Sequence, residues 1–216
     1  MTKQQRVEII LRELKRLFPQ AKIMLQFSSS WELLVAVMLS AQCTDRMVNV
    51  VTKKLFKKYK TFEDYINASP KEFEKDIFST GFYRTKTKHI LESASIIKKK
   101  YNSEIPHTMK EMIELPGVGR KTANVVLGNA FGVVEGIAVD THVRRLSRIL
   151  RLTKHIDPEK IEEDLMKIIP RKDWLQFTYL FIEYGRKYCP AIRHDHMNCP
   201  LTKILNPHLI QYVSTI

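Results

Sequence analysis

A chain of 216 residues can bury one substantial hydrophobic core or two small ones, and its 44% hydrophobic content excludes a disordered tail or a fibrous repeat. Lysine and arginine number 36 against 23 acids, and the resulting +13 suits a polyanionic partner far better than an acidic metabolite, although charge alone leaves open a merely basic enzyme. The three cysteines, Cys43, Cys189 and Cys199, are odd in number and widely spread, which excludes a secreted disulfide framework.

Residues 1–18 interleave charges with aliphatics and hold no signal core. No apolar run approaches the length of a bilayer span, so the chain reads as soluble and intracellular. Val7, Ile10, Leu11, Leu14 and Leu17 recur at helical spacing, predicting an amphipathic helix that stops near Pro19. Ser28, Ser29 and Ser30 offer N-caps to a helix from Trp31 to about Ser40, apolar nearly all round and therefore central to a core. Thr44 and Asp45 begin a helix running to about Tyr59. Thr61 with Asp64, and Ser69 with Pro70 and Glu72, mark two short helix starts. Gly81 ends that stretch, and a long helix follows from about Arg84 to Lys100, whose terminal basic run reads as a solvated end.

Thr108 and Glu111 have capping-box spacing and open a helix that ends at Leu115. A turn and a helix from about Arg120 to Phe131 follow. Val133 to Val139 is apolar but has no second strand to pair with, and is expected to be a buried extended linker. Helices over Thr141–Leu150, Asp157–Ile169 and Lys172–Tyr188 complete an all-α protein of ten or so helices, with no internal repeat.

Chemistry concentrates in Leu115 to Ala123, reading LPGVGRKTA, and in Asp140. Gly117 and Gly119 permit a tight turn with bare N–H groups feeding a helix N-terminus, which makes an anion site. Leu115, Val118, Arg120 and Thr122 complete that phosphate-gripping stretch. Lys121 sits beside it. A free lysine is almost wholly charged at neutral pH, so burial or helix dipoles are expected to act on an amine that attacks carbon. A plain phosphate-binding lysine is the blander reading. Asp140 opens the helix after the linker; it can cap that helix, and it can also stabilise positive charge growing on a sugar carbon.

LPGVGRKTA followed by AVDTHVRR (138–145) resembles the endonuclease III-like DNA glycosylases of the helix-hairpin-helix superfamily. The likeness includes MLSAQCTD (38–45) and GFYRTKTKHI (81–90) and covers about residues 6 to 201. It implies two helical domains with a DNA-binding cleft between them: a contiguous bundle over 24–132 bearing the hairpin, and a second domain from 1–23 plus 133–216. It implies base excision repair of duplex DNA with damaged bases or abasic sites, by a monomeric enzyme working in the cytoplasm, associated with the nucleoid if the source is a prokaryote. The implied reaction removes oxidised pyrimidines through a lysine Schiff base and cleaves the strand by β-elimination. A uracil or thymine mismatch glycosylase and a non-catalytic DNA-binding protein are the alternatives, the latter disfavoured by the intact Lys121 and Asp140.

By position, Lys121 matches the Schiff-base lysine and Asp140 the catalytic aspartate. Gln42 matches the residue that fills the gap left by the extruded nucleotide, and Phe82 an apolar wedge. His142 and Arg145 are expected to support the aspartate helix, and Cys43 to be a small buried residue. Family members with an iron–sulfur cluster carry four cysteines near the C-terminus. Here Cys189 and Cys199 are retained, but His196 and Leu205 hold the second and fourth positions. The expectation is no iron–sulfur cluster and no cofactor. Cys189, His194, His196 and Cys199 suit zinc chemically without zinc-finger spacing, a less favoured reading.

Overall fold

The structure is a computed structural model that describes residues 1–192 and 195–205. Helix starts follow the capping side chains. Thr2, Ser29, Thr44, Thr61, Thr108, Asp140 and Asp157 lie in extended backbone, and each accepts a hydrogen bond from the N–H three residues on. The helices so opened, together with others that start without a side-chain cap, account for the regular structure among the described residues, where no strand occurs. The chain divides into two compact units, Met24–Glu135 and a second made of Met1–Ile23 with the chain from Gly136 onward.

The Met24–Glu135 unit contains α2 (Ser30–Leu39), α3 (Asp45–Lys58), α4 (Phe62–Ile66), α5 (Pro70–Ile77), α6 (Tyr83–Tyr101), α7 (Met109–Met112) and α8 (Arg120–Phe131); α1 (Lys3–Leu17) precedes it in the chain. As its composition predicts, α2 is the hub: Leu33 through Leu39 are all buried, and α2 packs on α8, α3 and α6. Around it, Trp31, Tyr59, Tyr65 and Phe73 form a ring cluster, Trp31 meeting Tyr65 edge-on at 5.1 Å between centroids. The basic end of α6 is exposed, as its sequence suggests, and Lys98 pairs there with Glu63 and Lys100 with Glu114.

The second unit combines α1 with α9 (Thr141–Ile149), α10 (Pro158–Ile168), α11 (Trp174–Lys187) and α12 (Pro200–Leu205). Ile10 and Leu14 of α1 share one core with Leu146, Leu165, Phe177, Phe181 and Leu201. Arg6 anchors the same helix by donating to the Leu150 carbonyl at 3.1 Å. Of the linker expected to be buried over 133–139, residues 136–139 are buried and non-helical, Val133 and Val134 are half-buried and Glu135 is exposed; Thr178 donates to the Ala138 carbonyl at 2.9 Å. Two details differ from the sequence reading. The helix expected from Lys172 begins as a 3-10 turn over Arg171–Asp173, because Pro170 precedes it and Asp173 accepts a bond from Lys15. The short α12 carries too few residues for a periodic signal. No helix among the described residues is long and apolar enough to cross a membrane.

Candidate functional site

The hairpin that precedes α8 is a type II turn written in its sequence. Pro116 takes the first central position and Gly117 the second, at φ +74°, while Val118 donates back to the Leu115 carbonyl at 3.0 Å. Glycine is required at 117 twice over. A Cβ there would stand 2.4 Å from Nδ1 of His89, which packs across the turn from α6. Leu115 and Val118 send their side chains into the core, at 2% and 5% exposure, so what they offer a ligand is backbone. Gly119 is the N-cap of α8, and the first helical hydrogen bond runs from Ala123 to Gly119. The N–H groups of Arg120, Lys121 and Thr122 therefore belong to the open first turn, where the helix dipole is positive. Lys121 is exposed there, with Arg120 and Thr122 half-buried beside it. The expected burial of Lys121 does not hold, because the first turn of α8 carries it outward.

Gln42 and Phe82 lie in the same unit and share a device. Both are exposed, and both hold left-handed backbone, at φ +54° and φ +48°, a conformation that costs a non-glycine residue about 1–3 kcal/mol. Phe82 is 63% exposed, an unusual place for an aromatic ring with no packing to gain. They line a cavity of about 260 Å³ together with Met38, Lys86, His89 and Gly117. The hairpin, Gln42 and Phe82 are thus brought together. Lys86 and His89 are site-lining residues that sequence reasoning missed. A signal was available: Lys86 falls in register with Ile90, Ala94 and Ile97 on the buried stripe of α6, where a charge is out of place. Cys43, expected buried, is half-exposed in the turn after α2.

Asp140 belongs to the other unit, where it caps α9. Its Oδ1 accepts from the Val143 N–H at 2.8 Å, which fixes the carboxylate's orientation at a helix N-terminus. His142 and Arg145 on α9 do support this helix. His142 packs on Gly185 of α11, where a Cβ would stand 2.4 Å from its Nδ1. Arg145 donates to the Cys189 carbonyl and lies 3.6 Å from its sulfur.

The expectation of no cofactor is corrected by the geometry near the C-terminus. Cys189, His196 and Cys199 come together with their ligating atoms all within 4.8 Å of one another, a group able to hold a metal ion. The 3-10 turn over His196–Asn198 and the start of α12 at Pro200 bring the second and third donors back to the first. His196 Nδ1 lies 3.6 Å from the Cys189 sulfur, the edge length of a tetrahedron with metal bonds of about 2.0–2.3 Å. The donor set is two thiols and an imidazole, so a centre bound here is ligated by sulfur and nitrogen together; Leu205 is buried in the apolar core and supplies no donor. Burial raises both thiols above their ordinary range, Cys199 to about 12, with Arg145 opposing the shift at Cys189. His194, the remaining candidate ligand, lies outside the described residues.

Residues 35–171 match the model of the HhH-GPD superfamily of base excision DNA repair proteins. The chain belongs to that family. It is 48% identical to endonuclease III of a Synechocystis strain, over 94% of this chain and 93% of the relative, and 44% identical to endonuclease III of Bacillus subtilis, over 92% and 90%. Its structure is similar to that of a trapped endonuclease III–DNA covalent intermediate, an estranged-adenine complex, with a TM-score of 0.90, 45% identity, and coverage of 98% of this chain and 96% of that one. A thermostable thymine-DNA glycosylase, 21% identical with a TM-score of 0.79, shares the fold.

Proposed function

We propose that this chain is a bifunctional base excision repair enzyme, a DNA glycosylase with abasic-site lyase activity, whose nucleophile is Lys121. The observation that carries the reading is the placement of an exposed amine on the first turn of α8, directly behind a type II turn whose N–H groups are free of side chains. Its similarity to endonuclease III, one of whose structures is a covalent DNA intermediate, supports the same chemistry.

The steps can be built from the groups present. DNA phosphates dock on the hairpin and the α8 terminus, and the basic surplus of the chain makes this binding weaken steeply with salt. The damaged nucleotide swings out of the stack at a cost of about a few kcal/mol, which Phe82 offsets by wedging between bases and Gln42 by hydrogen-bonding the orphaned partner. The lone pair of Lys121 Nζ forms a bond to the sugar C1′ as the bond from C1′ to the base breaks, and the base leaves with a proton from solvent. Opening of the sugar ring then gives an imine between Nζ and C1′. Loss of a C2′ proton expels the 3′ phosphate, and water releases the amine. The Asp140 carboxylate, held by its cap, stabilises positive charge on the sugar as the base departs. We assign oxidised pyrimidines as the substrate class, residues 24–132 as the domain bearing the hairpin with 1–23 plus 133–216 as the second, and the cytoplasm, at the nucleoid if the source is a prokaryote, as the place of action.

Borohydride trapping on duplexes that hold thymine glycol, an abasic site or a G·T mismatch tests this. Wild-type protein is expected to form a covalent adduct with the first two, and Lys121→Gln to form none while still binding DNA. An adduct that survives Lys121→Gln overturns the assignment, and faster processing of the G·T duplex moves the substrate class to mismatches.

A further inference from the structure

A lysine in the core of the hairpin unit has no part in the chemistry above. Lys86 is 6% exposed, on the buried stripe of α6. Its Nζ donates to two backbone carbonyls, Leu39 and Thr80, each at 2.8 Å. Leu39 is the last residue of α2, so its carbonyl has no helical partner and lies at the negative end of that helix's dipole. Thr80 ends the 3-10 turn (Phe78–Thr80), and its hydroxyl is itself tied to the Ile77 carbonyl at 2.8 Å. One ammonium therefore joins two chain segments 41 positions apart in sequence, between Leu39 and Thr80.

The residues just downstream of each carbonyl make this junction more than a core contact. Three residues after Leu39 comes Gln42, and two after Thr80 comes Phe82, the two non-glycine residues of this cavity held in left-handed backbone. Such conformations persist only where the surroundings over-determine them. Burial depresses the Lys86 amine below the ordinary lysine range, so the core bears a charged group that an apolar side chain of the same length would replace more comfortably unless its two bonds are needed.

We propose that Lys86 is a positioning residue that clamps the ends of α2 and the 3-10 turn together, and so holds Gln42 and Phe82 at the separation required to enter the duplex as a pair. The proposal rests on the reading of those two residues as the ones that enter the DNA. Its role is in extruding the nucleotide, not in the bond-making at C1′. A substrate whose base is already missing is easier to extrude, so loss of the clamp is expected to separate the two activities.

The test compares single-turnover excision of thymine glycol from duplex DNA with β-elimination at a preformed abasic site, in wild type, Lys86→Met, Lys86→Arg, Gln42→Ala and Phe82→Ala. All are assayed at a temperature where far-ultraviolet circular dichroism shows them folded. Lys86→Met is expected to lower the ratio of excision to elimination about tenfold or more, the size of effect that goes with losing part of the extrusion energy. It should also reduce the fluorescence rise of 2-aminopurine placed opposite the lesion. Lys86→Arg, which keeps the charge and donors on a broader head, is expected to fall between. An unchanged ratio in a folded Lys86→Met, or an equal loss of both activities, overturns the proposal, since a purely structural lysine would lower the active fraction alike for both. Should Lys86→Met not fold, Lys86→Arg decides, and an unchanged ratio there overturns the clamp. If Gln42→Ala and Phe82→Ala leave the ratio intact, the reading of those residues fails; if they lower it and the Lys86 variants do not, only the clamp fails.

Discussion

The two units hold their functional groups by different means. In Met24–Glu135 the groups sit on special backbone: a glycine at φ +74°, two side chains on left-handed residues that Lys86 braces from the core, and an amine on an open helix turn. In the unit built from α1 and the C-terminal helices, side chains do the holding. Asp140 is held by its own cap bond, and its helix is tied by Arg145 to a cysteine 44 positions away. The contrast suits the tasks assigned to each. Groups that must grip phosphates and enter a base stack work through exposed backbone and projecting tips, whereas a carboxylate that must face developing charge needs a fixed orientation.

The same division predicts where substitutions act. Changing the fixed carboxylate should have the largest effect on rate and little on stability. Asp140→Asn keeps a good capping residue, so thermal unfolding is expected to shift by no more than a few tenths of a kcal/mol while turnover on thymine glycol falls about a hundredfold or more, with DNA affinity retained in an equilibrium binding assay. Loss of affinity instead would make Asp140 a structural cap only. Gly117→Ala should do the reverse, destabilising by about 1–3 kcal/mol in denaturant unfolding and weakening DNA binding, because it forces both a dihedral and a contact. Adding His89→Ala removes the two closest contacts, at 2.4 and 2.9 Å, and leaves a tight Cβ contact at 3.0 Å beside a dihedral cost of about 1–2 kcal/mol.

For the Cys189, His196 and Cys199 group, protein as purified is expected to contain metal by elemental analysis. Chelation, or Cys199→Ser, is expected to lower both metal content and melting temperature, because a ligand bound only to the folded state stabilises it. The smallest effect concerns acid. Glu63, Glu114 and Glu13, hydrogen-bonded to Lys98, Lys100 and Arg16, and Asp64, bonded by the Thr61 and Lys60 N–H groups, titrate below their ordinary values. Folded values below the unfolded ones mean that their contribution is present above the unfolded values, near 4.5 for the glutamates, and fades as pH falls through the folded values. Melting scans from pH 6 down to about 3 are expected to show a gradual decline, slight because all of these groups but the half-buried Glu13 are exposed.

Much of this was legible in the sequence because local rules and tertiary demands agree. Caps at Ser29, Thr44 and Asp157 mark helix starts, and the all-apolar α2 announces a central helix. Pro116 and Gly117 occupy the two turn positions that suit them. The features that stayed hidden depend on distance in space. The convergence of Cys189, His196 and Cys199 rests on how the loop folds back, and counting missing cysteines led to the wrong expectation of no cofactor. Lys86 shows in the sequence only as a charge on the apolar stripe of α6, and what it joins is known only from its two carbonyl partners. Lys121, expected to be shielded, is exposed because the first turn of α8 points it outward.

α1 leaves the ribosome long before the helices it packs against. α1 buries Ile10 and Leu14 against residues beyond Gly136, so through the synthesis of more than a hundred intervening residues, roughly 5 to 25 seconds at common translation speeds, its apolar face has no native neighbour. The Met24–Glu135 unit can finish in that interval. Through that wait the apolar face of α1 stays uncovered, which makes early chaperone contact valuable and makes any non-native cover for α1 a hazard to the unit it belongs to.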